Sequence, residues 1–164
     1  MADGQVKAPI LRHDVADYLK VGAGFELMSV YNQIDENPTA QTKETQYTVD
    51  KSKTKMTTGY ATVFPITGDM YKNEATAEYL RDIGEEQKLG ADCQTEYVRV
   101  RLYQPVAETP DTFYARRFQI AVEITGITGA GGENMVIAGN LNAMGDVEIG
   151  TFNVKTKTFT PTGA

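Results

Sequence analysis

The chain has 164 residues and 18.0 kDa, 41% of them hydrophobic and 23% charged, which suits one folded domain (1–164) with a core of its own and excludes a disordered chain. A net charge of −6 and a pI near 4.8 argue against nucleic-acid binding as the main role, because a binder needs a basic face to displace counterions from phosphates. Cys93 is the single cysteine, so no intrachain disulfide can form; no apolar run is long enough to span a bilayer, and Met1-Ala-Asp-Gly-Gln-Val-Lys7 lacks the apolar stretch of a signal peptide, which predicts a protein made in a cytoplasm.

Residues 1–24 read as an N-terminal arm, with Asp14 to Lys20 either one helical turn or extended, and Gly22 and Gly24 as punctuation. Phe25 to Ile34 is rich in aromatic and branched residues on both parities, which predicts one strand covered on both faces.

The run 35–57 is long, polar and rich in threonine, with Tyr47, Val49 and Met56 as its sizeable apolar groups. A connection of this length inside a compact domain is uncommon and usually functional. It predicts a projecting loop or a thin hairpin from Gln46 to Thr57 turning at Asp50-Lys-Ser-Lys53, marginal in water without a partner. Four acids (Asp35, Glu36, Glu44, Asp50) balance four lysines (Lys43, Lys51, Lys53, Lys55), so the whole −6 falls on the rest of the chain.

Tyr60 to Ile66 alternates as a strand, and Pro65 places its end at a sheet edge or bulge. The helix spans about 74–89, with Asn73 as N-cap, a stripe of Ala77, Leu80, Ile83 and Gln87, and Gly90 as its stop. Gly84 inside it costs about 1 kcal/mol against alanine, which points to close packing at that position.

Glu96 to Tyr103 sets Val98, Val100 and Leu102 on one face, and Tyr97, Arg99, Arg101 and Tyr103 on the other. In Tyr114 to Thr125, Phe118, Ile120, Val122 and Ile124 face inward, and Arg117, Gln119, Ala121 and Glu123 face out. That strict alternation predicts a sheet with one buried and one polar face. The last third holds eight of the 15 glycines and reads as three strands, 135–141, 147–152 and 154–159, with a turn at Met144-Gly-Asp146. The alternating Thr and Lys of 153–159 suit an edge strand. These elements predict a mainly β chain of seven or eight strands: an antiparallel β-sandwich or barrel-like domain with one flanking helix.

Catalytic chemistry finds little to work with. His13 is the sole histidine and lies eighty positions from Cys93, so no metal-ligand spacing exists. Gly129-Ala-Gly-Gly-Glu133 lacks the Lys-Ser/Thr of a phosphate loop and precedes a strand, so it reads as a turn. Asp82, Glu85 and Glu86 fall on the polar face of the helix, where solvent, Arg81 and Lys88 account for them. The nine tyrosines are scattered, with no basic groove beside them. Cys93 reads as a small buried side chain. No cofactor, metal or catalytic residue is expected.

The order of features resembles the major tail proteins, or tail tube proteins, of long-tailed phages. The features are an early strand, the polar arm, a strand ending Phe64-Pro-Ile66, one helix, the Tyr97-Val-Arg-Val-Arg101 block and Ala115-Arg-Arg-Phe-Gln-Ile-Ala-Val-Glu-Ile124. Gly139-Asn-Leu-Asn-Ala-Met-Gly-Asp146 and Gly150-Thr-Phe-Asn-Val-Lys155 close the series, in a pattern similar to tail proteins of phages and prophages of Gram-positive bacteria. The resemblance covers roughly 25–160 and implies a structural virion protein, not an enzyme. It implies hexameric rings stacked into a hollow tube that conducts the genome, with tail-tip, tape-measure and tail-terminator proteins as partners, DNA passing only transiently, and no membrane.

On that basis the arm 35–57 is expected to reach the neighbouring ring through Asp35, Glu36, Lys43, Glu44, Tyr47, Asp50, Lys51, Lys53 and Lys55. Arg99, Arg101 and Arg117 are expected to meet acids on a neighbouring subunit or on the helix. Two other classes remain open: the inner tube of a contractile injection system such as type VI secretion, and a carbohydrate-binding β-sandwich marked by an exposed aromatic patch. A small β-barrel enzyme would need a pocket of convergent polar groups, and no candidate set exists.

Overall fold

The computed structural model describes residues 7–162. Its described part holds ten strands: β1 Val15–Val21, β2 Gly24–Leu27, β3 Tyr31–Ile34, β4 Ala40–Thr45, β5 Thr54–Tyr60, β6 Val63–Asp69, β7 Gln94–Pro105, β8 Thr112–Thr128, β9 Val136–Asn153 and β10 Thr158–Pro161. The helix α1 (Ala75–Glu85) lies between β6 and β7. Eight strands form one antiparallel sheet in the order β2-β1-β7-β8-β9-β6-β3, with β10 beside β9, and the sheet curls into a half-barrel. β4 and β5 pair only with each other.

The curl follows from chain connectivity. β2 and β3 stand at opposite ends of the sheet order, yet Leu27 and Tyr31 are only four residues apart. Four residues span at most roughly 14 Å, so the two ends of the sheet must approach each other. The single strand expected over Phe25–Ile34 is therefore two, broken at Met28–Val30 where the chain crosses the gap. Met28 plugs that crossing: its N–H donates to the Asp17 carbonyl at 2.9 Å and its side chain enters the core.

Because the sheet curls, both of its faces find cover. One core gathers Leu19, Ile34, Phe64, Leu80, Tyr97 and Phe118 with their neighbours; the other holds Tyr18, Phe25, Val98, Val100, Phe152 and Phe159. The alternation in β7 and β8 is as expected, but the polar-outward face expected for Tyr97 and Arg99 is not. Tyr97 and Val98 are both fully buried, on opposite faces. Phe64 stacks within 4.7 Å of Tyr97 and 4.8 Å of Phe118, centroid to centroid, at the centre of the larger core.

Several boundaries differ from expectation for identifiable reasons. Residues 15–21 are not part of an arm: β1 lies between β7 and β2 and buries Tyr18 and Leu19. Residues 1–6 of that expected arm lie outside the described residues. Pro65 sits inside β6, not at its end. Its carbonyl accepts from Asp35 N–H, so its hydrogen-free nitrogen also points toward that segment and away from the ladder with β9.

The turn expected at 144–146 is a bulge in one continuous β9. Arg117 pairs with Glu148 and Gln119 with Met144, so β8 bridges the extra residues. Gly145 takes φ +72 there, which a residue with a side chain adopts only at a cost. The strand expected at 154–159 is mostly the turn into β10.

The stripe of Ala77, Leu80 and Ile83 on α1 is buried as expected. The helix ends at Glu85, earlier than expected, in a left-handed Gln87 (φ +52) with the Lys88 N–H returning to the Ile83 carbonyl. Asn73 is not the N-cap; it takes φ +62, and its N–H donates to Glu78. Gly84 is explained by packing, since a Cβ there would lie 2.8 Å from Ile124 Cγ2.

Candidate functional site: the projecting hairpin and its anchor

The β4–β5 hairpin is the structural anomaly of this fold. Its register runs from Ala40↔Tyr60 through Glu44↔Lys55 to Thr45↔Thr54, with a bulge near Gln41. It is longer than the hairpin expected over 46–57, and its tip is 46–53. There the Asp50 N–H donates to the Tyr47 carbonyl and Gln46 Nε2 donates to the Asp50 carbonyl at 3.1 Å. Between 40 and 60 only Thr45 and Gly59 are not exposed. Tyr47, Val49, Met56 and Tyr60 all stand more than 60% exposed, and no hairpin residue belongs to either core. The strand expected over Tyr60–Ile66 breaks at Ala61–Thr62, where the hairpin leaves the main sheet.

The anchor is a different kind of structure. Asp35 and Glu36, expected in the projecting arm, lie at its root. Asp35 accepts from Gln33 Nε2 at 2.7 Å. Arg116 on β8 grips Glu36 with two nearly parallel hydrogen bonds of 2.7 and 2.8 Å, and Arg99 on β7 stands 3.6 Å away. Arg99 also approaches Asp17 of β1 at 3.7 Å, Arg12 donates to Asp17 at 2.5 Å, and the buried Tyr97 hydroxyl donates to the same carboxylate. One ionic chain thus ties β1, β7, β8 and the hairpin root together at the rim of the larger core.

The electrostatics follow from that geometry. Burial alone would push the Glu36 carboxyl up, but the Arg116 hydrogen bonds and the charges of Arg116, Arg99 and Arg101 outweigh it and hold the carboxyl below its usual range. The Arg116 guanidinium is raised by its hydrogen bonds to Glu36 against the opposing effect of burial. Burial pushes the Tyr97 hydroxyl well up, and the Asp17 charge adds to it, so this hydroxyl stays a donor.

The other expected contact residues separate. Lys43, Glu44, Tyr47, Asp50, Lys51, Lys53 and Lys55 are all exposed on the hairpin, with Lys53 and Glu44 3.9 Å apart. Arg99 meets acids of its own chain, on β1 and at the hairpin root. Arg101 donates to Gln104 at 3.1 Å. Arg117 pairs with Glu148 across the ladder and lies over the Phe159 ring at 4.8 Å. The hydrogen bonds and ion pairs of all three go to residues outside α1. Arg12, Asp17 and Arg116 are the charged members of the anchor that sequence reasoning missed. Arg116 shares the parity of Phe118, the one available hint, whereas Asp17 lay in a stretch whose strand character was undecided.

With Asp35 and Glu36 at the root, the charge balance expected for the arm does not hold for what projects. Residues 40–60 carry four lysines against Glu44 and Asp50, a net +2, which leaves −8 on the remainder. No group of three His, Cys, Asp or Glu among the described residues is arranged to hold a metal. His13 is exposed beside Asp14, and Cys93 is half-buried, not fully buried as expected. Among the described residues no helix is long and apolar enough to cross a membrane.

No protein-family profile matches the chain, and no curated protein matches it. Solved structures do. A chain in the extended-state sheath/tube terminator of an extracellular contractile injection system, PVC, superposes with a TM-score of 0.61 at 13% identity, covering 88% of this chain and 99% of that one. A chain in the C6-symmetric tail of an empty gene transfer agent particle gives 0.61 at 14%, covering 93% and 99%. One in the tube-terminating cap of the anti-feeding prophage gives 0.54 at 17%, covering 91% and 98%. At these identities the fold is what is shared, and it is shared over nearly the whole length of each.

Proposed function

We propose that this protein is a structural subunit of a tail tube and not an enzyme: copies form hexameric rings, and the rings stack into a hollow tube that conducts a genome. The observation that carries this reading is the β4–β5 hairpin, which extends from a well-packed half-barrel and buries almost nothing of itself. A two-stranded hairpin is marginal alone, so an element of this kind is built for a surface outside its own chain. The fold held in common with chains of a C6-symmetric tail and of tube-terminating assemblies supports the same reading.

In this reading the hairpin contacts the next ring through Lys43, Glu44, Tyr47, Asp50, Lys51, Lys53 and Lys55. Asp35 and Glu36 set its root. Arg101, whose hydrogen-bond partner Gln104 is a neutral side chain, is the best placed of the three arginines to meet a neighbouring subunit. Tail-tip, tape-measure and terminator proteins are the partners at the ends of the tube, and a long-tailed phage or prophage of Gram-positive bacteria is the source. A second reading, the tube of a contractile injection system, draws on the PVC and anti-feeding prophage likenesses; co-purification with a sheath protein distinguishes it.

The test is negative-stain microscopy of the purified protein across concentration. Rings of six or hollow tubes are expected. A protein that stays monomeric at every concentration, with tail-tip components added, overturns the proposal.

A further inference from the structure

The redistribution of charge described above sets a cationic element on an acidic body: +2 on residues 40–60 and −8 on the rest. The acidity of the body is uneven. Residues 69–92, which contain α1, hold seven acids against three bases, so half of the −8 lies in this one stretch. Some acids elsewhere are paired within the chain: Glu148 with Arg117, Glu96 with Lys20, Glu26 with Lys157 and Asp111 with Lys155. Around α1, Arg81 is shared between Asp82 and Glu85, Lys88 pairs with Glu86, and Glu78 accepts from a backbone N–H and feels the Arg81 charge without forming an ion pair with it.

The same helix borders a groove. Met70, Tyr71, Ala77 and Met135 supply the apolar part of a depression of about 220 Å³ whose lining also includes Lys72, Glu78, Arg81 and Asn134. Tyr71 and Met135 are each about half exposed. The hairpin presents the complementary features. Tyr47 and Val49 stand exposed at its tip beside Lys51 and Lys53, and strands of its length, rising about 3.4 Å per residue, carry that tip roughly 20 Å from the root.

We infer that the hairpin tip docks on the groove beside α1 of a second copy of this chain, with Tyr47 and Val49 seated among Met70, Tyr71 and Met135 and the tip lysines facing Glu78 and Glu85. This rests on the tube reading and specifies the receiving surface within it. Opposite charges at the rim set register and partner choice, and the apolar seat supplies the adhesion.

The experiment is a charge-swap series read by sedimentation and negative-stain microscopy of the full chain: Lys51→Glu with Lys53→Glu, Glu78→Lys with Glu85→Lys, and all four together. Glu108→Lys with Glu123→Lys gives the same net change as the Glu78/Glu85 pair away from the groove, and thermal melts confirm that each variant folds. Each docking pair alone is expected to raise the protein concentration needed for stacking by roughly tenfold or more. The control pair leaves it within about twofold, and the four-substitution variant recovers most of the loss. If wild-type tubes form and the Glu78/Glu85 pair stacks as well as wild type, or the quadruple variant is as impaired as the hairpin pair alone, the docking site is wrong while the tube stands. If wild type forms neither rings nor tubes, the tube reading itself fails, and the docking with it.

Discussion

Excising the hairpin tests whether it is a passenger on the fold. Ala61 N–H already donates to the Thr39 carbonyl at 3.1 Å, so the chain ends flanking residues 40–60 are adjacent before any cut. Replacing those 21 residues by a four-residue Gly/Ser linker keeps Glu36, the Asn37–Val63 bridge and both cores. The hairpin contributes no core residue, so little burial is lost. Shortening a closed loop from 21 to four residues lowers its closure cost by about 1.5 kcal/mol. The excised protein is therefore expected to be as stable as the parent or more so, with a midpoint up by as much as about 5 °C, while stacking is lost. Differential scanning calorimetry with sedimentation reads both quantities. A melt lowered by more than about 5 °C, or broadened into two steps, would show that the hairpin belongs to the cooperative fold, and the reasoning would be wrong. Cutting out 35–57, the arm as the sequence delimits it, removes Glu36 as well and so confounds the two effects.

Three further outcomes follow from named contacts. Phe64→Ala empties the centre of the larger core, between Tyr97 and Phe118, and is expected to cost about 3–5 kcal/mol in urea unfolding; a loss under about 1 kcal/mol would mean that the core is not packed as described. Glu36→Gln leaves Arg116 without its carboxylate and Arg99 with Asp17 alone, and is expected to cost about 1–3 kcal/mol at neutral pH. Because the folded Glu36 carboxyl is held below its ordinary value, its contribution is present above the unfolded value and is lost as pH falls through the folded one. The gap between parent and variant should therefore close on acidification, and a gap that widens would contradict the network. Gly139→Ala places a Cβ 2.3 Å from the Glu123 carbonyl oxygen, where backbone must move; about 1–3 kcal/mol of destabilisation and local loss of hydrogen-exchange protection in β8 and β9 are expected. Unchanged exchange there would refute the close approach.

Much of the fold was legible from residue pattern. The period-two runs around Val98–Leu102 and Phe118–Val122 and the helical stripe of Ala77, Leu80 and Ile83 declare their elements, because alternation and the 3.6-residue repeat are local properties of the chain. The polar stretch after Ile34 declares a projecting element, because a run so poor in apolar side chains cannot be folded into a core. Gly84 declares a close contact without naming Ile124.

What only tertiary structure decided are the facts that depend on which strands meet. Curling brings β2 toward β3 across three residues and gives both faces of the sheet a core. That is why Tyr97 and Arg99, read as a polar face, end up buried or nearly so. The ladder with β8 turned an apparent turn at Met144–Asp146 into a bulge. The ionic chain from Asp17 through Arg99 and Glu36 to Arg116 joins residues up to 99 positions apart, and no local pattern predicts such a meeting. By drawing Asp35 and Glu36 out of the arm to its root, the fold also turned a balanced arm into a cationic one. The arm's existence is a property of composition, but its charge is a property of where its root is buried.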